Sequence, residues 1–203
     1  MVAGDLTSAS NVRYMLASRA VEAHTRLDSV PVWLEASEAY ASDQGLRHER
    51  AHIRYARGSY ERLRGHPGTA RRLLAEVLPV FRKAGDLRCV ARTLLELAQP
   101  SVASDPAART DLLLESLRAA AIAGDPAMHA RILADLTTAG FSAGNLILAA
   151  RCAGALESLG TQAPHKTADP AYATFVEEGR AGGIELLTRL YPGPVGTGTG
   201  IPG

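Results

Sequence analysis

Residues 73–86, LLAEVLPVFRKAGD, and residues 112–125, LLLESLRAAAIAGD, are the two stretches that decide the fold. Each is a helix-forming run that ends at a Gly-Asp pair, and the two glycines are 39 positions apart. Gly45 lies 40 positions before the first of them, and Gly160 lies 36 positions after the second. Because glycine readily takes the left-handed backbone that closes a helix, this spacing predicts helices ended at a regular interval.

Alignment of the chain on these glycines shows that apolar and small residues recur at matched positions. Four positions before the glycines stand Ala41, Phe81, Ala120 and Leu156. Twelve positions before them stand Trp33, Leu73, Leu112 and Leu148. Six positions after the first three stand Ala51, Ala91 and Ala130. A helix that packs repeatedly into an equivalent neighbour produces this pattern, so the chain contains a repeat of about forty residues.

Composition points to the same fold class. The 203 residues include 36 Ala and 26 Leu, which are strong helix formers, whereas residues that favour strands are sparse. We predict an all-α fold of about nine helices, paired antiparallel and stacked as a tetratricopeptide-like right-handed solenoid. The predicted helices cover roughly 8–28, 31–45, 46–64, 68–84, 86–99, 106–123, 126–139, 143–159 and 170–190.

The predicted helices form one domain, residues 1–191. Within it, the repeats end near Gly45, Gly85, Gly124 and Gly160. Asp105 and Asp125, each followed by proline, are expected to be N-caps. In the first helix we expect the buried stripe to consist of Val12, Leu16, Ala20, Ala23 and Leu27. Residues 192–203, GPVGTGTGIPG after Pro192, cannot hold a helix and are predicted to be a flexible tail.

Two stretches resemble a known kind of protein. GTARRLLAEVLPVFRKAGDLRCVARTLLELA, residues 68–98, is similar to the repeats in the C-terminal half of large LuxR-type and related ATPase regulators of GC-rich bacteria. AARCAGALESLGTQAPHKTADPAYATFVEEGRA, residues 149–181, resembles the closing segment of the same regions. The resemblance, over roughly residues 45–190, implies a sensor or protein-interaction arm of a transcriptional regulator. The chain has neither a GxxxxGK[ST] phosphate loop nor a recognisable helix-turn-helix, so the ATPase and DNA-binding roles do not follow.

Several function classes are disfavoured by composition. The net charge of +1 gives no global attraction to nucleic acid or to an anionic membrane. We see no secretory signal and no run of eighteen apolar residues, so the expectation is a cytoplasmic protein without membrane partners. Cys89 and Cys152 lie 63 positions apart among apolar neighbours and are expected to be buried, reduced thiols.

One motif has the form of a zinc site. Residues 48–52, HERAH, match HExxH, in which two helical histidines four positions apart bind zinc and the glutamate acts as base. Arg50 places a cation inside the motif, no third ligand is evident, and Glu76 is only a carboxylate at a possible distance. We therefore predict that His48 and His52 bind no metal, and we keep a zinc hydrolase as the weaker alternative.

A row of arginines is the second candidate site. Arg47, Arg50, Arg54 and Arg57 fall on one flank of a predicted helix, next to an apolar stripe that includes Ile53 and Tyr60. Such a row can bind phosphates or an acidic peptide. The alternative is a solvated flank whose aliphatic stems cover apolar surface, since arginine is abundant throughout this chain.

The sequence thus favours a non-enzymatic helical-repeat module that needs no cofactor and binds a protein, a peptide or a small effector. If an anionic partner exists, the arginine row is its predicted contact. A nucleic-acid-associated regulator that uses this row is the main alternative.

Overall fold

The computed structural model describes residues 3–103, 105–164 and 170–190, with side chains from residue 10 onward. Over these residues the protein contains nine α-helices, a short 3-10 turn at Leu27–Ser29 and no β-strand. The helices are α1 Ala3–Ala23, α2 Val30–Asp43, α3 Arg47–Leu63, α4 Pro67–Ala84, α5 Leu87–Leu97, α6 Pro106–Ala123, α7 Pro126–Ser142, α8 Leu146–Ser158 and α9 Pro170–Leu190. The prediction of an all-α fold is confirmed. The predicted tail, residues 192–203, lies outside the described residues.

The four glycines on which the repeat is aligned all lie at the ends of helices. Gly45, Gly85, Gly124 and Gly160 have φ between 65° and 74°, the left-handed conformation predicted from their spacing. After three of them the next amide donates to a carbonyl five positions back, as Leu46 does to Ala41, which satisfies a carbonyl at the end of the helix. Gly65 and Gly144 close α3 and α7 in the same way, so each repeat of about forty residues holds two helices.

Helix starts are also set locally. The side chains of Asp105 and Asp125 accept hydrogen bonds from the amides three positions on, which confirms both as N-caps. Asp86 and Asn145 cap α5 and α8 in the same manner. Each cap satisfies an amide that has no partner within its helix.

The residues that lie eight positions before these four glycines also support the repeat. They are Ser37, Val77, Ser116 and Cys152, all at most 1% exposed. The two serine hydroxyls donate to a backbone carbonyl of the preceding helix, Ser37 to Ser10 at 3.0 Å and Ser116 to Ala91 at 2.8 Å. All four equivalent positions are therefore buried, and two of them make the same kind of contact between helices. In α9 the helix is interrupted at Gly183, where φ is 52°.

Two predictions about α1 were wrong. The helix ends at Ala23 and not near residue 28, because His24 and Arg26 take left-handed conformations with φ of 54° and 49°. Val12 and Leu16, which we expected in the core, are exposed by 54% and 47%. The buried residues are Ser10, Ala17, Ala20 and Val21, of which only Ala20 belongs to the predicted stripe. Small side chains on this face allow α1 and α2 to approach closely enough for the hydrogen bond between Ser37 and Ser10.

The chain divides into two compact units, Met1–Gly85 and Asp86–Gly203. In the first unit α2 packs on α1, α3 on both α1 and α2, and α4 on α3. In the second unit each of the helices α5 to α8 packs on the next, and α9 packs on α8. The boundary follows Gly85, one of the four glycines on which the repeat is aligned. Among the described residues, no helix combines the length and the apolar character needed to cross a bilayer.

Candidate functional site

Helix α3 brings the predicted site residues together in the first unit. It contacts α1, α2 and α4, and its buried face includes Ala51, Ile53 and Ala56. Its arginines and histidines occupy the remaining faces, next to those three helices. Of the predicted apolar stripe, Ile53 is buried, whereas Tyr60 is only partly buried.

The two central arginines of the row form ion pairs with neighbouring helices. The Nε atom of Arg50 is 3.2 Å from Oε1 of Glu38 on α2, and Nε of Arg54 is 3.6 Å from the same oxygen. On the other side, Nη1 of Arg54 is 3.6 Å from Oε2 of Glu76 on α4, a carboxylate that also pairs with Arg72 at 2.8 Å. Two of the four predicted binding charges are therefore largely compensated within the protein.

The outer arginines of the row differ from the central ones. Among the described residues, Arg47 and Arg57 form no ion pair. Arg47 is exposed and Arg57 is partly buried. The positive charge that remains for an external anion thus comes from two residues ten positions apart. Two separated guanidinium groups bind phosphate more weakly than four adjacent ones do.

We expect a stability cost when Arg50 and Arg54 are both changed to glutamate. The double variant places two new carboxylates beside Glu38, whose Oε2 is already buried without a hydrogen-bond partner among the described residues. Because Arg50 and Arg54 are 34% and 39% exposed, solvent screens much of this effect, and the free energy of unfolding should fall by about 1 kcal/mol. Urea unfolding followed by circular dichroism measures the change.

The matched control is Arg47→Glu together with Arg57→Glu. It makes the same change in net charge on the same helix, but it disturbs no ion pair. We expect its stability to stay within about 0.5 kcal/mol of the wild type. Equal losses in the two double variants would show that the ion pairs with Glu38 and Glu76 contribute nothing.

The histidines of the HExxH motif lie side by side on α3. Their Nε2 atoms are 3.1 Å apart, and their ring centroids are separated by 4.6 Å. The hydroxyl of Tyr14 on α1 is 3.4 Å from Nδ1 of His52. The ring of Phe81 on α4 lies 5.8 Å from that of His48 and 5.0 Å from that of His52, centroid to centroid. Phe81 thus packs against both imidazoles, and Tyr14 contacts that of His52.

A small pocket opens next to His52, between α1, α2 and α3. Its apolar wall is formed by Ala41, Leu46 and Ile53. Its polar wall consists of Ser10, Asn11, Tyr14, Tyr40, Glu49 and His52. An apolar wall with several convergent polar groups is typical of a site that holds a side chain or a small molecule. Sequence reasoning did not predict this pocket, because its residues come from three separate helices.

Exposed apolar side chains lie on the solvent-facing side of α1. Val12, Met15 and Leu16 are exposed by 54%, 57% and 47%, and their spacing places them within an arc of about 100°. We call these three residues the α1 stripe. A cluster of large apolar side chains in contact with water is unfavourable unless a partner covers it.

The two cysteines do not form a reactive site. Cys152 is buried, and burial raises the pKa of its thiol. Cys89 is partly buried, and desolvation together with the nearby carboxylate of Asp86 raises its pKa to about 12. A thiol must ionise to act as a nucleophile, so both cysteines are poor nucleophiles at neutral pH. The expectation of a reduced, buried thiol fits Cys152 better than Cys89.

Comparison with known proteins finds no matching protein-family model, no similar curated protein and no similar solved structure. The resemblance to regulator repeats therefore stays a prediction.

Proposed function

We propose that this chain is a non-enzymatic helical-repeat module that binds a partner protein through the α1 stripe. Its helices are proposed to pair antiparallel and to stack as a tetratricopeptide-like solenoid, an architecture that offers an extended surface for such contacts. The observation that carries the proposal is the exposure of Val12, Met15 and Leu16 on one face of α1.

The form of the stripe suggests the form of the partner. Apolar residues at positions i, i+3 and i+4 of a helix match an amphipathic helix that lays its own apolar face alongside. Following the resemblance to regulator repeats, we propose that the module serves as the sensing or interaction arm of a bacterial transcriptional regulator.

A protein partner accounts for these features better than a nucleic acid does. Arg50 and Arg54 are paired with Glu38 and Glu76, so the arginine row offers little uncompensated charge. Binding to nucleic acid would rely on such charge and would weaken steeply with salt, whereas an apolar contact is much less sensitive to salt.

Substitution of Met15 and Leu16 by glutamate should abolish partner binding without unfolding the protein. The immobilised wild type, incubated with an extract of the source organism at about 0.5 M salt, should retain a specific protein that the double variant loses. Loss of the apolar contact and burial of two carboxylates both oppose association. Ile122→Glu is the control, because Ile122 is also exposed, by 68%, but lies on α6. The proposal is wrong if the double variant and the wild type retain the same proteins, or if the retained material is nucleic acid.

A further inference from the structure

The two histidines of α3 already have the separation that a shared metal ion requires. Zinc binds imidazole nitrogen at about 2.0–2.1 Å. With both Nε2 atoms at this distance from one ion, their separation of 3.1 Å corresponds to an N–metal–N angle of about 98°. That angle is close to the tetrahedral arrangement of zinc sites, so the separation of the two nitrogens fits a shared ion.

Neighbouring residues restrict the orientation of the two rings. Each Nε2 must present its lone pair to the metal, so the ring proton of each histidine must be on Nδ1. For His52 the hydroxyl oxygen of Tyr14, 3.4 Å away, can accept a hydrogen bond from that Nδ1 proton. Contacts of this kind fix the tautomer and the direction of metal-binding histidines. The ring of Phe81 packs against both imidazoles and limits their rotation.

The charge of Arg50 does not oppose a metal ion at the two histidines. Arg50 lies inside the HExxH motif, but its guanidinium group is turned toward Glu38, 3.2 Å away, and its charge is compensated there. It therefore does not stand as an unpaired cation beside the histidines.

We propose that His48 and His52 form a reversible binding site for a first-row transition-metal dication of the zinc type. Imidazole nitrogen is a preferred ligand of these ions, and the remaining coordination positions are completed by water or by a bound molecule. Two protein ligands should provide roughly half of the binding free energy of a four-ligand zinc site. The Kd for zinc should therefore be on the order of 10 µM. Because one ion joins neighbouring turns of α3, it should also stabilise this helix.

Calorimetric titration of the full chain with zinc chloride tests the proposal. The protein is first treated with chelator, which is then removed. We expect saturable binding of one ion per chain and an increase in Tm at saturating zinc, because an ion that binds only the folded state stabilises it. If the wild-type protein shows no saturable binding at zinc concentrations up to about 1 mM, the proposal is wrong. This result needs no variant.

Variants then locate the site. His48→Ala and His52→Ala should each weaken zinc binding by at least about tenfold, while Tyr14→Phe, which keeps the ring, should weaken it by a smaller factor. The control is His24→Asn, which removes an exposed histidine and retains a residue type that tolerates the left-handed backbone found there. Circular dichroism verifies that each variant is folded. If both histidine variants bind zinc as tightly as the wild type, or if only His24→Asn loses binding, the ion binds elsewhere and the proposal is wrong.

Discussion

Gly154→Ala is expected to lower the free energy of unfolding of the second unit by about 3 kcal/mol or more. Gly154 on α8 faces the backbone of α9, and an added methyl group would overlap the carbonyl oxygen of Val176 and lie 2.6 Å from the amide nitrogen of Arg180. Backbone atoms cannot turn aside as a flexible side chain can, so α9 must move away from α8 as a whole.

The contact is reciprocal. A methyl group at Gly179 on α9 would overlap the carbonyl of Arg151 on α8. Ion pairs flank the same contact, with Arg151 bound to Glu178 at 2.9 Å and Arg180 bound to Glu157 at 2.6 Å. Displacement of α9 would therefore lose polar contacts as well as close packing. Gly179→Ala should be as harmful as the substitution at Gly154.

Urea unfolding of the full chain measures the loss, and limited proteolysis should show earlier cleavage in α9. Gly68→Ala is the control, since no atom lies within 4 Å of an added methyl group at this position in α4. Alanine is the better helix former, so this control should leave stability unchanged or raise it by up to about 1 kcal/mol. A Gly154→Ala variant as stable as the wild type would mean that α8 and α9 are not packed this closely.

Phe81→Ala should destabilise the first unit by about 3–5 kcal/mol. Phe81 is fully buried in α4 and is one of the largest buried side chains of the protein. Its removal leaves a cavity next to the rings of His48 and His52, which then lose the neighbour that limits their rotation. The free energy of unfolding by urea is again the measurement.

Val32→Ala is the matched control in the same unit, because Val32 is 66% exposed. Loss of its methyl groups should change stability by no more than about 0.5 kcal/mol. If the two variants lost the same stability, Phe81 would not be part of a packed core.

The regular ends of the helices could be predicted because they depend on local backbone chemistry. Gly45 and Gly124 were recognised from their spacing, and both have the positive φ that favours glycine. Asp105 and Asp125 were recognised as N-caps because the side chain and the amide it accepts from are three positions apart. No distant residue is needed for either interaction.

The site itself was predicted only in part. The helical period placed Arg50 and Arg54 on one flank and His48 beside His52, since residues four positions apart share a face of a helix. It did not reveal that Glu38 lies next to both arginines. Charge partners of this kind come from other helices, and their sequence separation carries no signal of the contact.

The all-helical class, most of the helix ends and the clustering of charged groups on α3 could therefore be predicted from the sequence, although the end of α1 was misplaced. Tertiary structure decided which face of α1 is buried, how closely α8 and α9 approach, and which arginines remain available to a partner. The reason is the range of the interactions. Backbone conformation and capping act within one helical turn, whereas Ala17 is preferred over Leu16 inside the core only because α2 lies close to that face.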